Sequence, residues 1–137
     1  MAFSFPMRMY WEDTDASGTV FYANYLKFFE RARTEWLRHA GIHQPQLKDE
    51  VGGMFVVTHA ELNYLQAAHL DDILDVTAVL QSAGRASITI GQQAFLRPVS
   101  SDMPAQLLCE GSIRIGWVDA STMRPARIPN SIVEKLS

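Results

Sequence analysis

Residues 24–40, NYLKFFERARTEWLRHA, are the stretch that decides the architecture. Polar residues fall at Lys27, Glu30, Arg31, Thr34 and Arg38, three or four apart, while Tyr25, Phe29, Ala32 and Trp36 line another face. Leu26, Leu37 and Ala40 widen that face beyond what a helix lying on a surface needs. The spacing predicts a helix over 24–40, closed by Gly41 as a left-handed cap. So broad an apolar face predicts a curved sheet that wraps the helix.

The flanks supply that sheet. Residues 5–12 alternate loosely and read as a strand. Residues 42–53 hold Pro45 and the Gly52-Gly53 pair and read as a loop or short helical turn. Four strand-like runs follow at about 54–64, 73–82, 85–95 and 105–118, with turn signals between them, and a last short helix is expected over 130–136. Long neighbouring strands with short connections favour an antiparallel sheet. The expected class is α+β, a long helix wrapped by five or six antiparallel strands.

The bulk numbers exclude several function classes. At 137 residues the chain reads as one domain over 1–137. A net charge of −3 offers no basic footprint for nucleic acid and no polybasic arm for a membrane. The lone Cys109 forbids an internal disulfide, suggests a reducing compartment, and sits among apolar neighbours as a buried strand thiol would. The first residues lack a basic segment followed by an apolar core, and no apolar run approaches the roughly 20 residues of a membrane span. A soluble cytoplasmic domain without membrane insertion is expected.

Just ahead of the helix lies EDTDASGTVFYANY, residues 12–25. In an extended segment Asp13 and Asp15 share a face, and two carboxylates held close push at least one pKa upward. Ala16, Ser17 and Gly18 are small enough for a ligand to approach the backbone. A carbonyl oxygen placed there would receive N–H bonds near Tyr22 to Asn24, at the positive end of the helix. The same residues also suit a solvated turn, with Asn24 as a helix cap. Ser17 has no histidine–acid pairing nearby and does not read as a triad serine.

EDTDASGTVFYANYLKFFERARTEWLR resembles the opening of the YbgC-like branch of the 4-hydroxybenzoyl-CoA thioesterase family. FVVTHAELNYLQAAHLDDILDV and GRASITIGQQAFLR resemble its later strands, so the similarity runs in order over nearly the whole chain. The resemblance implies the hotdog fold and hydrolysis of acyl-CoA or acyl carrier protein thioesters without a cofactor. It implies Asp15 as the catalytic residue, either nucleophile or general base, and the backbone N–H groups of Tyr22 and Ala23 as oxyanion donors. It further implies Tyr22, Asn24, Arg85 and Ser87 as substrate-binding residues, the last two toward the CoA nucleotide. Many YbgC-like sequences carry a histidine where this chain has Tyr22, whose hydroxyl or ring then takes that place.

Hotdog domains are usually dimers or larger, so the resemblance implies a homodimer or homotetramer with sites at the subunit interface. It also implies a link to the Tol-Pal envelope system or to phospholipid enzymes. The alternative on the same fold is a non-catalytic acyl-CoA-binding, acyl-carrier-protein-binding or protein-interaction module. No metal site is expected, because Gly41 interrupts the His39–His43 spacing and His59 and His69 lack ligand partners. Glu61 is a reserve carboxylate on an alternating strand, Asp71 and Asp72 read as a polar turn, and Phe28, Phe29 and Trp36 as core. Short aliphatic, long aliphatic and aromatic acyl groups all suit a pocket of Phe, Tyr and Met residues.

Overall fold

The computed structural model describes residues 2–137. Strand β1 is Phe3–Arg8, followed by a 3-10 turn at Trp11–Asp13 and then helix α1, Asn24–His39. Helix α2 is Gln44–Val51, and strands β2 (Gly53–Tyr64), β3 (Ile73–Ala83), β4 (Ser87–Leu96) and β5 (Gln106–Asp119) lead to helix α3, Asn130–Leu136. The five strands form one antiparallel sheet in the order β1-β3-β4-β5-β2. Each edge, β1 and β2, has one neighbour.

Helix α1 lies on the inner face of this sheet, as its broad apolar face predicts. Tyr25, Phe28, Phe29, Ala32, Trp36 and Leu37 are buried against Leu74, Val76, Ile88, Ile90, Ile113 and Ile115. Phe28, Phe29 and Trp36 are therefore core. The helix ends as Gly41 predicts: its φ is +85°, its N–H donates to Arg38 O (3.0 Å), and Ile42 N–H donates to Leu37 O (2.8 Å). That is the Schellman pairing, with buried Ile42 closing over Leu37.

Three expectations change, and one residue not singled out by the pattern proves buried. Strand β1 stops at Arg8 rather than residue 12, because Met9 N–H bonds the Asp72 carbonyl and the chain then coils into the 3-10 turn. Residues 42–53 hold a full helix, α2, with Pro45 in its first turn and Gly52 at φ +75° behind it. Leu26, assigned to the buried face, is 47% exposed. Arg33, a polar residue by type, is 7% exposed because its spacing from Tyr25 and Phe29 carries it onto the apolar face.

Arg33 is held by another buried polar residue. Gln92 of β4, 1% exposed, accepts from Arg33 Nη1 (3.0 Å) and donates to the carbonyls of Phe29 (3.0 Å) and Thr77 (3.2 Å). Every polar atom of the Gln92 amide is thereby satisfied inside the core, which is what its burial demands. Among the described residues no helix is long and apolar enough to cross a membrane.

Candidate active site

Residues 13–21 fold into a tight hairpin that delivers the chain into α1. Asp15 N–H donates to Thr19 O (3.0 Å), Phe21 N–H donates to Asp13 O (2.9 Å), and Thr14 bridges Val20. The tip is a turn from Asp15 to Gly18, with Gly18 N–H on Asp15 O (3.0 Å) and Gly18 at φ +83°, a conformation glycine adopts freely. A third segment joins behind it, since Val20 N–H donates to Ala68 O (2.8 Å) and Thr19 bridges His69.

The two aspartates do not share a face. Asp13 is buried in the 3-10 turn, where its Oδ2 accepts from Tyr10 N–H (2.8 Å). Asp15 stands exposed at the hairpin tip. Its Oδ1 accepts from Ser17 N–H (2.9 Å) and, at short range, from Ser17 Oγ, which also contacts Thr19 Oγ1 (2.7 Å). The Ser17 hydroxyl first, and its N–H second, hold the Asp15 carboxyl below the ordinary carboxylate value. The expected upward push is thus absent at Asp15, because the carboxylate meets donors and not a second charge.

The N-terminus of α1 is uncapped. Ala23 makes no side-chain cap, and the first turn carries no acidic residue. Asn24 N–H bonds Phe21 O (3.0 Å) and Tyr25 N–H bonds Tyr22 O (3.3 Å), whereas the N–H groups of Tyr22 and Ala23 donate to nothing among the described residues. Asn24 is not the cap; it is the first helical residue, and its Nδ2 donates to Asp13 O (2.9 Å), clamping the hairpin to the helix. Two unspent donors at a helix N-terminus form a receptor for negative charge.

Beside them is an aromatic cluster. Tyr22 and Tyr64 meet edge to face with centroids 5.7 Å apart, and Tyr25 packs on Tyr64 at 5.8 Å. Tyr22 and Tyr64 are exposed; the Tyr25 hydroxyl is buried without a partner among the described residues, and desolvation pushes its pKa up to about 12. Cys109 is fully buried, and burial pushes its thiol up to about 12, so it stays protonated and is no nucleophile.

Other residues singled out by sequence lie elsewhere. Arg85 and Ser87 sit at the β3–β4 turn, whereas the hairpin adjoins the start of β3, so the length of β3, roughly 30 Å, separates them within one chain. Glu61 pairs with Ser112 on the outer face of the sheet, away from α1, lining a polar depression with Glu110. Asp71 and Asp72 form the expected polar turn, with Asp71 at φ +72° and Asp72 Oδ2 accepting from His69 N–H (2.8 Å). His39 packs on Phe3 and His43 precedes α2, beyond the helix end at Gly41. Arg33 and Gln92 form a buried polar pair that residue type concealed; the one available signal was the helical spacing of Arg33.

The family model described as Thioesterase superfamily matches residues 17–102. The chain is 38% identical over 130 residues to acyl-CoA thioesterase YbgC of Haemophilus influenzae, covering 95% of this chain and 90% of that protein. It is 39% identical over 131 residues to acyl-CoA thioester hydrolase YbgC of Escherichia coli O6:H1, covering 96% and 92%. Among solved structures, a mutant of 4-hydroxybenzoyl-CoA thioesterase complexed with 4-hydroxybenzoyl-CoA superposes with a TM-score of 0.91 at 18% identity, covering 99% of each chain.

Proposed function

Because this chain belongs to the thioesterase superfamily, whose hotdog fold it has, we propose that it hydrolyses acyl-CoA thioesters with Asp15 as the nucleophile. One observation carries the reading: a carboxylate held ionised by Ser17 stands on the hairpin that leads into two unspent helix N–H groups. Asp15 attacks the thioester carbonyl carbon, and the oxygen that becomes negative is held by the N–H groups of Tyr22 and Ala23. The C–S bond breaks, CoA leaves as the thiolate and takes a proton from water, and Asp15 is left as a mixed anhydride. Water then cleaves the anhydride, returning the Asp15 carboxylate and free acid.

The depressed pKa of Asp15 favours this route over proton abstraction from water. A general base works best with a pKa near the working pH, whereas a nucleophile needs only to be ionised. Tyr22, where a histidine is common, lines the acyl entrance with Tyr64, and its backbone donor is independent of side-chain type.

A homodimer joined edge to edge through β2 completes the site. Strand β2 has β5 alone as a neighbour, and Val57 is 53% and Tyr64 47% exposed. So long an uncovered edge invites pairing. Antiparallel pairing of two β2 strands brings the partner subunit's Arg85 to the end where Asp15 stands. There its guanidinium suits a CoA phosphate.

Thiol release from an acyl-CoA panel tests the reading. Asp15→Asn is expected to lower kcat/KM by at least about a hundredfold, the scale of losing a principal catalytic group. Equal turnover by the variant removes Asp15 from the mechanism. No turnover of any thioester by the parent leaves a binding module on the same fold.

A further inference from the structure

Along the strip between α1 and the inner face of β2, Tyr22 meets Tyr64 at one end and the buried Arg33 lies toward the other. Ala60, Leu62 and Tyr64 face the helix side of the sheet, because they pair with Ile113, Gly111 and Cys109. Leu26, Glu30, Arg33 and Leu37 follow one another along α1 at helical spacing. Leu26 and Val57 stay exposed, so no described residue covers this strip. Toward the far end a cavity of about 60 Å³ is lined by Arg33 with Glu30, Thr34 and Gln44 on its polar side and Leu37, Phe55, Val57 and Ile115 on its apolar side.

Arg33 is the unusual member of that lining. A guanidinium carries five N–H donors. That of Arg33 is 7% exposed, forms no ion pair among the described residues, and reaches a single acceptor, Gln92 Oε1. A largely buried charge that forms no ion pair is costly unless something completes it. Leu26, Ala60 and Leu62 give the strip between Tyr64 and Arg33 an apolar surface for an aliphatic chain, whereas the cavity at Arg33 mixes Leu37, Phe55, Val57 and Ile115 with Glu30, Thr34 and Gln44, as a polar chain end requires.

We propose that Arg33 reads the far end of the acyl group, seating a terminal carboxylate, so that half-thioesters of dicarboxylic acids are preferred substrates. This rests on the acyl-CoA hydrolase reading above. Arg33 lies nine residues beyond Asn24 along α1, roughly 14 Å at 1.5 Å per residue, and helix side chains lean back toward the N-terminus. The span suits a medium chain. The guanidinium fork presents two parallel donors to a carboxylate, which a methyl end cannot use. Glu30 borders the same cavity but is exposed, so water screens its opposing charge.

Matched pairs of thioesters test this: hexanoyl- with adipoyl-CoA, octanoyl- with suberoyl-CoA, decanoyl- with sebacoyl-CoA. The parent is expected to favour the carboxylate-ended member of at least one pair by about tenfold in kcat/KM, the scale of hydrogen bonds to a charged group. Arg33→Gln is expected to erase that ratio, Arg33→Lys to keep part of it, and Glu30→Gln to increase it. A folding defect lowers both members together and leaves the ratio alone. A flat ratio in the parent, or one that survives Arg33→Gln, overturns the proposal while turnover that depends on Asp15 leaves the hydrolase reading standing. If the parent turns over no thioester, calorimetric titration with free adipate, suberate and sebacate decides: binding lost in Arg33→Gln supports the site, and no binding overturns it. Weakened self-association of Arg33→Gln with a flat ratio assigns the acceptor to a second copy and likewise overturns the proposal.

Discussion

Asp15 and Ser17 show how two neighbours two residues apart set the chemistry of a surface carboxyl. The Ser17 hydroxyl and N–H both donate to Asp15 Oδ1, and the pKa falls below the ordinary value. Since the folded value is depressed, the ionised nucleophile persists at neutral pH and is lost only as pH falls through that low value. Ser17→Ala removes the larger of the two causes. The acid limb of the kcat/KM profile should therefore move to higher pH, toward the unperturbed carboxylate. A limb that stays in place would show that Asp15 does not control the rate. The Asp15 turn was legible because its parts are contiguous: small residues, a glycine and a carboxylate that bond one another locally. The depressed pKa was not legible, because carboxylate count alone says nothing about where donors point.

At the level of elements, periodicity did most of the work. Alternation and helical spacing located α1 and all five strands, because both patterns are imposed by the sheet and helix surfaces that become buried. Gly41 marked the end of α1 for a stated reason, its φ of +85°. Gly41→Ala should lower stability by about 1 kcal/mol, the cost of a Cβ in the left-handed region. A urea titration should show a lower midpoint with an unchanged slope; an unchanged midpoint would mean the cap contributes nothing. The early stop of β1 and the full length of α2, beyond the loop or short helical turn expected, escaped the same reading. Both depend on bonds to distant partners or on weak local propensity, Met9 N–H to Asp72 O in the first case.

Across the whole molecule, the separation of Asp15 from Arg85 has the largest consequence. One chain places them at opposite ends of β3, so the proposed Arg85 contact to the nucleotide is one that a second subunit would make. If the proposed dimer forms, co-assembled Asp15→Asn and Arg85→Ala chains should exceed the mean activity of the two parents, because one site then combines an intact Asp15 with the partner subunit's Arg85. Activity that merely averages the two parents would place Arg85 outside the site, and a monomer in sedimentation would remove the shared site altogether.

What the sequence determined by itself was local and periodic: the helix and its cap, the strands, the glycine turn bearing Asp15, and membership of a family whose pattern is carried by contiguous residues. What the tertiary structure alone decided was burial and distance. Arg33 became a buried charge, and Gln92 its partner, because β4 runs beneath the middle of α1, a meeting of residues 59 positions apart that no local pattern encodes. Arg85 was carried away from Asp15 because an antiparallel ladder sends successive turns to opposite ends of the sheet. Side-chain type announces what a residue can do, and the fold decides which other groups and how much water it meets.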